Sequence, residues 1–469
     1  MEKSRSPGKT SSHSNCDEAH ALEQLKSLAE SALIKPLREA LGEEAALHIV
    51  GGTVRDILCK SAGFDIDLAT RLPPEETIQK LEAKNIRVVE TGIKHGTLTA
   101  IVDHNNIEIT TFRQPQERNK SGYSDTIEED LSGRDFTINA IAYSINETCL
   151  IDPFHGIEDL DNRLLRAVGS AEERISEDPH RMLRMIRFGP AAGREVDQAL
   201  LKATRKNASL LQEVSPERIK DELLRILLSP QPSSGLQAML DSGILEFVLP
   251  EALPSVGFAQ NRYHIEDVFQ HTLTVVDRCP EDASLRLAGL FHDLGKPATL
   301  SIDEKGERHF YKHEIESARI CKSAMRRLRF SNEMVKKVST IVWAHMRPIE
   351  CGPAGIRRLK RDLGDYFHDW RAFKVADKPP VMDEKEFQSL LRNFDRMVQA
   401  EEERQKNAEK KLLIDGNDLM RIGFKSGKPL GDVLRILEER VIEDPDLNKK
   451  SVLIDMAKEL RELKQNEAL

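Results

Sequence analysis

Residues 48–70 read HIVGGTVRDILCKSAGFDIDLAT, and this stretch decides the fold. The apolar pair Ile49-Val50 runs into Gly51-Gly52, after which Val54, Ile57 and Leu58 recur at helical spacing, giving strand, glycine turn and helix N-terminus. Such a turn leaves backbone N–H groups pointing outward with no Cβ in the way, and the helix dipole behind them suits the place to a phosphate. Arg55 is spaced to reach an anion held there. Further on, Phe64-Asp65-Ile66-Asp67-Leu68 alternates at strand period, so Asp65 and Asp67 share one face while Ile66 and Leu68 enter the core. Two carboxylates on one strand face repel unless a cation lies between them. Mg²⁺ takes a few carboxylate oxygens together with the phosphates of a nucleoside triphosphate. A Gly-Gly turn or an Asp-x-Asp alone is commonplace; about a dozen residues apart on consecutive elements, the two become specific.

Outward from this stretch, Pro73-Pro74-Glu75-Glu76 opens a helix through Leu81, and Arg87–Glu90, Thr97–Val102 and Ile107–Phe112 read as strands. Asp103-His104-Asn105-Asn106 is the turn between the last two. Glu108 is either a third carboxylate beside Asp65 and Asp67 or an exposed strand glutamate. Upstream, Leu22–Leu41 has helical spacing, and the polar residues 1–24 read as a disordered lead-in. Past residue 166 the pattern is helical over Ile175–Phe188, Gln198–Leu211 and Pro216–Leu228, with Ser215 as a cap. The fold class expected is α+β, a small mixed-sheet head followed by all-helical parts.

A chain of 469 residues is long enough for roughly two to four domains. Its 31% charged residues and the lack of any apolar run near the roughly 18 residues that span a bilayer predict a soluble protein. The first residues lack the apolar core of a secretory signal, so a cytoplasmic address is expected. Cys16, Cys59, Cys149, Cys279, Cys321 and Cys351 are scattered without a C-x-x-C, which indicates neither a zinc knuckle nor a disulfide framework. The net charge of −9 argues only weakly against nucleic acid, because binding depends on where positive charge sits.

Eight motifs carry a resemblance: GGTVRD at 51–56, DID at 65–67, HGT at 95–97, EITTFR at 108–113, EEDLSGRDFTINAIAY at 128–143, DPFHGIEDL at 152–160, EDPHRMLRMIRF at 177–188 and SPERIKDELLRIL at 215–227. In order and spacing the first half of the chain resembles the class II nucleotidyltransferases, the family of tRNA CCA-adding enzymes and bacterial poly(A) polymerases. The resemblance implies that Asp178 and Arg181, three apart on one helix face, read the incoming base. Cytosine and adenine each offer an exocyclic amine beside a ring acceptor, which suits a carboxylate and a guanidinium; uracil and guanine would set oxygen against oxygen. It also implies nucleotide contacts from Arg134, Asp135, Asn139 and Arg184, and a neck in which Glu217 and Arg218 brace the base-reading helix. Gly133 stands where the family's Arg-Arg-Asp motif has its first arginine. Residues 114–127, QPQERNKSGYSDTI, are shorter than the family's flexible loop and lack its Arg-Arg-Pro, which is tied to the switch to adenine.

From about residue 251 a second constellation begins: His271, His292-Asp293 in LFHDLGKP, His313, His345 and Asp377, set among helical apolar spacing. An imidazole and a carboxylate at one point of a helix, joined by His and Asp from other helices, make a divalent site with open positions for water and phosphate. This resembles the HD phosphohydrolase superfamily, and the resemblance implies His271, His292, Asp293 and Asp377 as principal ligands with His313 and His345 as extras. His264 and His309 read as ordinary core or surface residues. Positive charge then concentrates, and Arg326, Arg327, Arg329, Lys336, Lys337, Arg357, Arg358 and Lys360 read as contacts to RNA phosphates. Gln399–Lys411 reads as a charged connector helix. Residues 412–437, LLIDGNDLMRIGFKSGKPLGDVLRIL, read as helix, glycine turn, helix, with Gly423, Gly427 and Gly431 either near an RNA phosphate or shaping a plain packing unit.

The expected divisions are a lead-in at 1–24, a catalytic head at 25–165, a neck at 166–250, an HD domain at 251–380 and a tRNA-binding tail at 381–469. The expected function is addition of C and A to the 3′ end of tRNA from CTP and ATP. Asp65 and Asp67, with Glu108 as a further candidate, would hold Mg²⁺, and the HD site would take a second divalent metal. A CC-adding enzyme, which the short loop favours, an A-adding enzyme and a poly(A) polymerase remain alternatives within the class. From other classes come an HD phosphohydrolase whose first half senses nucleotide, and a non-enzymatic RNA chaperone.

Overall fold

A three-residue strand survives only when its neighbours bury it, and His48, Ile49 and Val50 are all buried. They are β1 of a mixed sheet whose other strands are β2 (Ile66–Thr70), β3 (Arg87–Gly92), β4 (Thr97–Val102), β5 (Asn105–Thr111), β6 (Ala142–Ser144) and β7 (Cys149–Ile151). The order is β3-β4-β5-β2-β1-β6-β7, with β2 and β5 parallel and the other pairs antiparallel. The structure is a computed structural model and describes residues 18–60, 63, 65–93, 96–114, 122–260, 266–379, 382–406, 412–425 and 427–466. The chain divides into two units, Met1–Leu253 and Pro254–Leu469.

In the first unit the helix after the glycines is Gly52–Leu58, with Val54, Ile57 and Leu58 buried as their spacing requires. The hairpin between β4 and β5 is tighter than expected. Asp103 and His104 alone make the turn, both at positive φ as a two-residue hairpin demands, while Asn105 and Asn106 pair with Val102 and Ile101. Strands β6 and β7 were not anticipated, being too short to show a period. Val50, Ala69, Phe112, Ile127, Leu131 and Ala142 close the core around the sheet.

Three helical expectations are corrected. Residues 18–24 are part of a helix, Glu18–Ala29, not of a lead-in, while residues 1–17 lie outside the described residues. The stretch Leu22–Leu41 breaks before a second helix, Lys35–Leu41, because Pro36 has no N–H to continue a helix and fits only its first turn. Ile175–Phe188 is two helices, Ala171–Glu177 and Arg181–Phe188, because Pro179 drives Asp178 out of the helical region (φ −143°, ψ 98°). Gln198–Asn207 passes into a 3₁₀ turn, and Pro216–Leu227 starts at Ser215, whose hydroxyl accepts from the Arg218 N–H (3.4 Å).

Among the described residues the second unit is helical apart from a small hairpin, Leu300–Ile302 with Arg308–Phe310. The expected connector is the end of a longer helix, Glu384–Lys406, whose Phe387, Leu391, Phe394 and Val398 pack on Trp370 and Phe367; residues 407–411 lie outside the described residues. In the tail, Gly416–Arg421, Lys428–Glu443 and the unanticipated Lys450–Asn466 share a core of Leu419, Val433, Leu437, Leu453 and Ala457. Gly423 (φ +95°) serves this packing, since a Cβ there would lie 2.5 Å from Arg461, and Gly431 falls inside a helix. Among the described residues no helix is long and apolar enough to cross a membrane.

Candidate active site

The glycine turn and the carboxylates meet in the first unit. Gly51 has φ +62° and ψ −122°, a conformation side chains avoid, and a Cβ would lie 2.6 Å from Arg134 Nη1. Arg134 is held there by Asp130 (3.0 Å) and by donation to the Asn139 carbonyl (3.2 Å). At Gly52 a Cβ would sit 3.5 Å from Asp67 Oδ2 and 3.8 Å from Arg55 Nη2, so the turn borders the carboxylate directly. Thr53, which sequence reasoning passed over, joins the two: its hydroxyl donates to the Asp65 carbonyl (2.7 Å) and accepts from the Asp67 N–H (2.9 Å). Glu108 is the register partner of Asp67 across β2 and β5. Burial and then the Glu108 charge push the Asp67 carboxyl up to about 6. A divalent cation would relieve that repulsion, so the donor set fits one.

Asp65, Asp67, Gly51, Gly52 and Arg55 line a cavity of about 930 Å³ together with Arg134, Asp135, Asn139, Asp178, Arg181 and Arg184. Arg55 donates to Asn139 Oδ1 (2.7 Å) and pairs with Asp56 (2.7 Å). Asp135 is buried and satisfied by Arg184 Nε (2.6 Å), Asn139 Nδ2 (3.0 Å) and the Phe136 N–H (2.9 Å). Burial would raise its carboxyl, yet the Arg184 guanidinium and the Asn139 amide hold it below the ordinary value. Arg55, Arg184 and Arg187 gather about the Phe188 ring at 4.7, 5.1 and 4.1 Å from its centroid. The buried Glu222 faces Arg187 Nε (3.1 Å) and Arg225 (3.3 Å). Arg187, Phe188 and Glu222 were not singled out from sequence, although all three lie inside the quoted motifs.

Asp178 and Arg181 both line the cavity, but not on one helix face. Asp178 follows the end of its helix and accepts from Arg218 Nη2 (2.7 Å), while Arg181 opens the next and donates to Glu177 (2.8 Å) and the Gly133 carbonyl (3.1 Å). Gly133 thus serves through its backbone where an arginine was expected.

In the second unit the other five expected ligands gather about Asp293. His292 Nε2 (3.1 Å) and His271 Nε2 (3.6 Å) face its Oδ2, and His313 Nε2 (3.3 Å) and His345 Nε2 (3.6 Å) face its Oδ1. Asp377 Oδ1 lies 3.7 and 3.8 Å from His271 and His292. His292, His313 and His345 direct Nδ1 to the carbonyls of Gly289, Phe310 and Val342 (2.8, 2.7 and 2.6 Å), which leaves each Nε2 lone pair turned inward. The Nε2 atoms of His313 and His345 stand 3.2 Å apart, and that of His292 is buried with no hydrogen-bond partner among the described residues. Such facing lone pairs fit one cation on each side of Asp293. Lys296, unforeseen, reaches Asp293 Oδ2 (2.7 Å) and Gln260 (2.6 Å). His309 bonds to Asp303 (3.0 Å) on the hairpin, and His264 lies outside the described residues.

The basic segment is only partly a surface. Arg357 is 7% exposed, pairs with Glu401 (2.7 Å) and donates to the carbonyls of Ile442 and Glu443, so it is withdrawn as an RNA contact. Arg358 pairs with Glu443, Lys360 with Glu402 (2.7 Å) and Lys337 with Asp369 (3.0 Å). Each has an acidic partner that sequence spacing did not reveal. Arg326, Arg327, Arg329 and Lys336 are exposed.

Three family models match: "Poly A polymerase head domain" over residues 47–166, "Probable RNA and SrmB- binding site of polymerase A" over 194–255 and "HD domain" over 263–408. The CCA-adding enzyme of Streptococcus gordonii is 32% identical over 432 residues, covering 90% of this chain and 95% of that protein. The Bacillus stearothermophilus CCA-adding enzyme in complex with CTP superposes with a TM-score of 0.69 at 23% identity, covering 92% of this chain and 99% of the other. The Thermotoga maritima CCA-adding enzyme complexed with tRNA gives 0.57 at 19% identity, covering 94% and 98%. On the extent and identity of these matches, the chain belongs to the CCA-adding enzyme family.

Proposed function

We propose that this protein adds C and A to the 3′ end of tRNA from CTP and ATP, releasing pyrophosphate. The observation that carries the reading is a single cavity lined at once by the Asp65–Asp67 pair, by the Gly51-Gly52 turn and by Asp178 and Arg181, so that metal, triphosphate and base sites adjoin. Asp65 and Asp67, with Glu108 beside Asp67 on the neighbouring strand, would hold Mg²⁺, which would supply charge to lower the pKa of the attacking 3′-hydroxyl and to neutralise the triphosphate. Gly51, Gly52, Arg55, Arg134 and Arg184 seat the triphosphate, with Asp135 orienting Arg184 and Asn139 orienting Arg55. Asp178 accepts from the exocyclic amine of cytosine or adenine, and Arg181 donates to the ring nitrogen beside it. Arg326, Arg327, Arg329 and Lys336 are the candidate contacts to the tRNA backbone. The test offers transcripts ending at the discriminator base, at C and at CC to the protein with Mg²⁺ and each nucleoside triphosphate, then sequences the 3′ ends. Growth to CCA and no further is expected; a halt at CC, addition of A alone, or a run of A would each assign one of the other activities of the class.

A second activity is favoured by the convergence of four imidazoles and the Asp377 carboxylate about Asp293. We infer that His271, His292, Asp293 and Asp377, with His313 and His345 on the other oxygen of Asp293, hold divalent metal for hydrolysis of phosphorylated RNA 3′ ends. Lys296 is placed to steady Asp293 and to meet a phosphate. Release of inorganic phosphate from a 3′-phosphorylated oligonucleotide, lost in His292→Ala, tests this.

A further inference from the structure

Asp178 and Arg181 stand on opposite sides of the Pro179 break, and different parts of the chain hold them. Arg181 Nη1 donates to Glu177 Oε2 (2.8 Å) and the Arg174 carbonyl (2.9 Å), and Nη2 donates to the Gly133 carbonyl (3.1 Å). These bonds engage three of its five N–H groups and fix the guanidinium plane. Asp178 has no comparable scaffold. It is an extended residue beyond its helix, its terminal torsion has a broad minimum, and among the described residues Oδ1 receives only the neighbouring His180 N–H (3.2 Å). What pins the carboxylate is Arg218 Nη2, 2.7 Å from Oδ2, reaching over from the first turn of the Pro216–Leu227 helix.

We propose that Arg218 is a specificity-determining positioning residue: by fixing Oδ2 of Asp178 it sets the direction in which that carboxylate accepts, so the amine of cytosine or adenine is taken and the carbonyl of uracil or guanine refused. The inference rests on the base-reading assignment of Asp178 and Arg181 and deepens it. A carboxylate has about four lone-pair positions, so two existing donors leave room for one more from the base. Freed of Arg218, the group can turn its acceptors away from the amine. It also loses the guanidinium that now opposes burial, which on its own would raise the Asp178 carboxyl above the ordinary value. A protonated Asp178 would donate, and a donor suits uracil and guanine. Around Asp178 stand Glu177, His180, Arg181 and Arg184 from its own stretch, and Arg218 and Glu222 from the Pro216–Leu227 helix. Burial lowers the His180 imidazole, so it is neutral near pH 7 and does not replace the missing cation. Arg181, fixed by Glu177, cannot follow.

The test measures kcat/KM for CTP, ATP, UTP and GTP on tRNA lacking its 3′-terminal nucleotides, with the full-length protein at about pH 6 and about pH 8. Arg218→Gln is expected to lower the ratio of CTP to UTP by about ten- to a hundredfold, the size of one hydrogen bond to a charged group, and more so at the lower pH. Arg218→Lys, which restores the charge, is expected to recover most of the ratio. The Arg218 side chain is 48% exposed, so neither change opens a cavity. A folded Arg218→Gln protein with an unchanged ratio, or one in which all four nucleotides fall together, overturns the inference. A wild-type protein that shows no preference for CTP and ATP overturns the base-reading assignment instead, so the two failures are distinct.

Discussion

Glu108 faces Asp67 across the parallel pairing of β2 and β5. Burial, and after it the Glu108 charge, hold the Asp67 carboxyl up to about 6, above its unfolded value of 3.8. A raised value means the folded state holds its proton more tightly. The stabilisation is therefore full below about pH 4 and lost as pH rises through about 6, leaving a cost of up to about 3 kcal/mol at pH 8. Asp67→Asn is expected to raise the Tm of the metal-free protein at pH 8 and to leave it unchanged at pH 4. Mg²⁺ should raise the wild-type Tm at pH 8 and do little for the variant. Melting curves with chelator and with Mg²⁺ check both, and a variant that melts like the wild type at pH 8 would remove the repulsion argument.

Gly51 and Gly52 are adjacent yet should respond differently to alanine. Gly51→Ala forces a Cβ into a left-handed conformation and against Arg134, which costs about 1 to 3 kcal/mol and displaces a guanidinium from the triphosphate. Its Tm should fall, and kcat/KM for CTP and ATP should fall together by at least about tenfold. At Gly52 the nearest atom is at 3.5 Å, an ordinary contact, so Gly52→Ala should fold normally. Any loss there should appear in metal dependence, because the neighbour is Asp67. Equal melting temperatures for the two variants would contradict this account.

Arg357 and Arg326 look alike in the sequence and should behave oppositely. Arg357 and Glu401 are each 7% exposed at the side chain, and removing one member of such a buried pair costs about 3 to 5 kcal/mol. Arg357→Ala should lower the Tm while tRNA affinity, measured well below it, is unchanged. Arg326→Ala with Arg329→Ala should leave the Tm alone and weaken tRNA binding, reducing the slope of log affinity against log salt by about one for each phosphate no longer neutralised. Filter binding across a salt series separates the two.

What the sequence discloses depends on how local the signal is. The glycine turn, the Asp-x-Asp strand and the His-Asp doublet each fit within a few residues, and their chemistry can be read from spacing alone. The break between Asp178 and Arg181 was hidden because apolar residues keep helical period through it, from Ile175 to Ile186, even though Pro179 marked the place. Strands β6 and β7 have three residues each, too few to reveal alternation. Whether a cation such as Arg357 is surface or core depends on Glu401 and the Ile442 carbonyl, whose approach is a property of the folded tail. Arg218 is the middle case. Its motif signalled a bracing role, but the object it braces is one carboxylate, and only the folded geometry names it.

Asp293 offers one oxygen to His271 and His292 and the other to His313 and His345, so substitutions about it should sort by side. If both sides take a cation, the wild-type protein should bind about two divalent ions at this centre beyond any at Asp65 and Asp67. His271→Ala and His345→Ala should each lose one, and Asp293→Asn should lose both. Metal content after dialysis against Mn²⁺ or Ni²⁺ measures this without reference to any activity. Addition of nucleotides to tRNA should persist in all three variants, since the residues that read base and triphosphate lie elsewhere in the chain. Burial alone would raise the Asp293 carboxyl, and the His292 imidazole and the Lys296 ammonium hold it well below the ordinary value, so the anion is ready at neutral pH. Removing one of these partners by Lys296→Ala should weaken phosphate release more than metal content. Equal loss of both would make Lys296 a prop for the metal site with no part in meeting a phosphate.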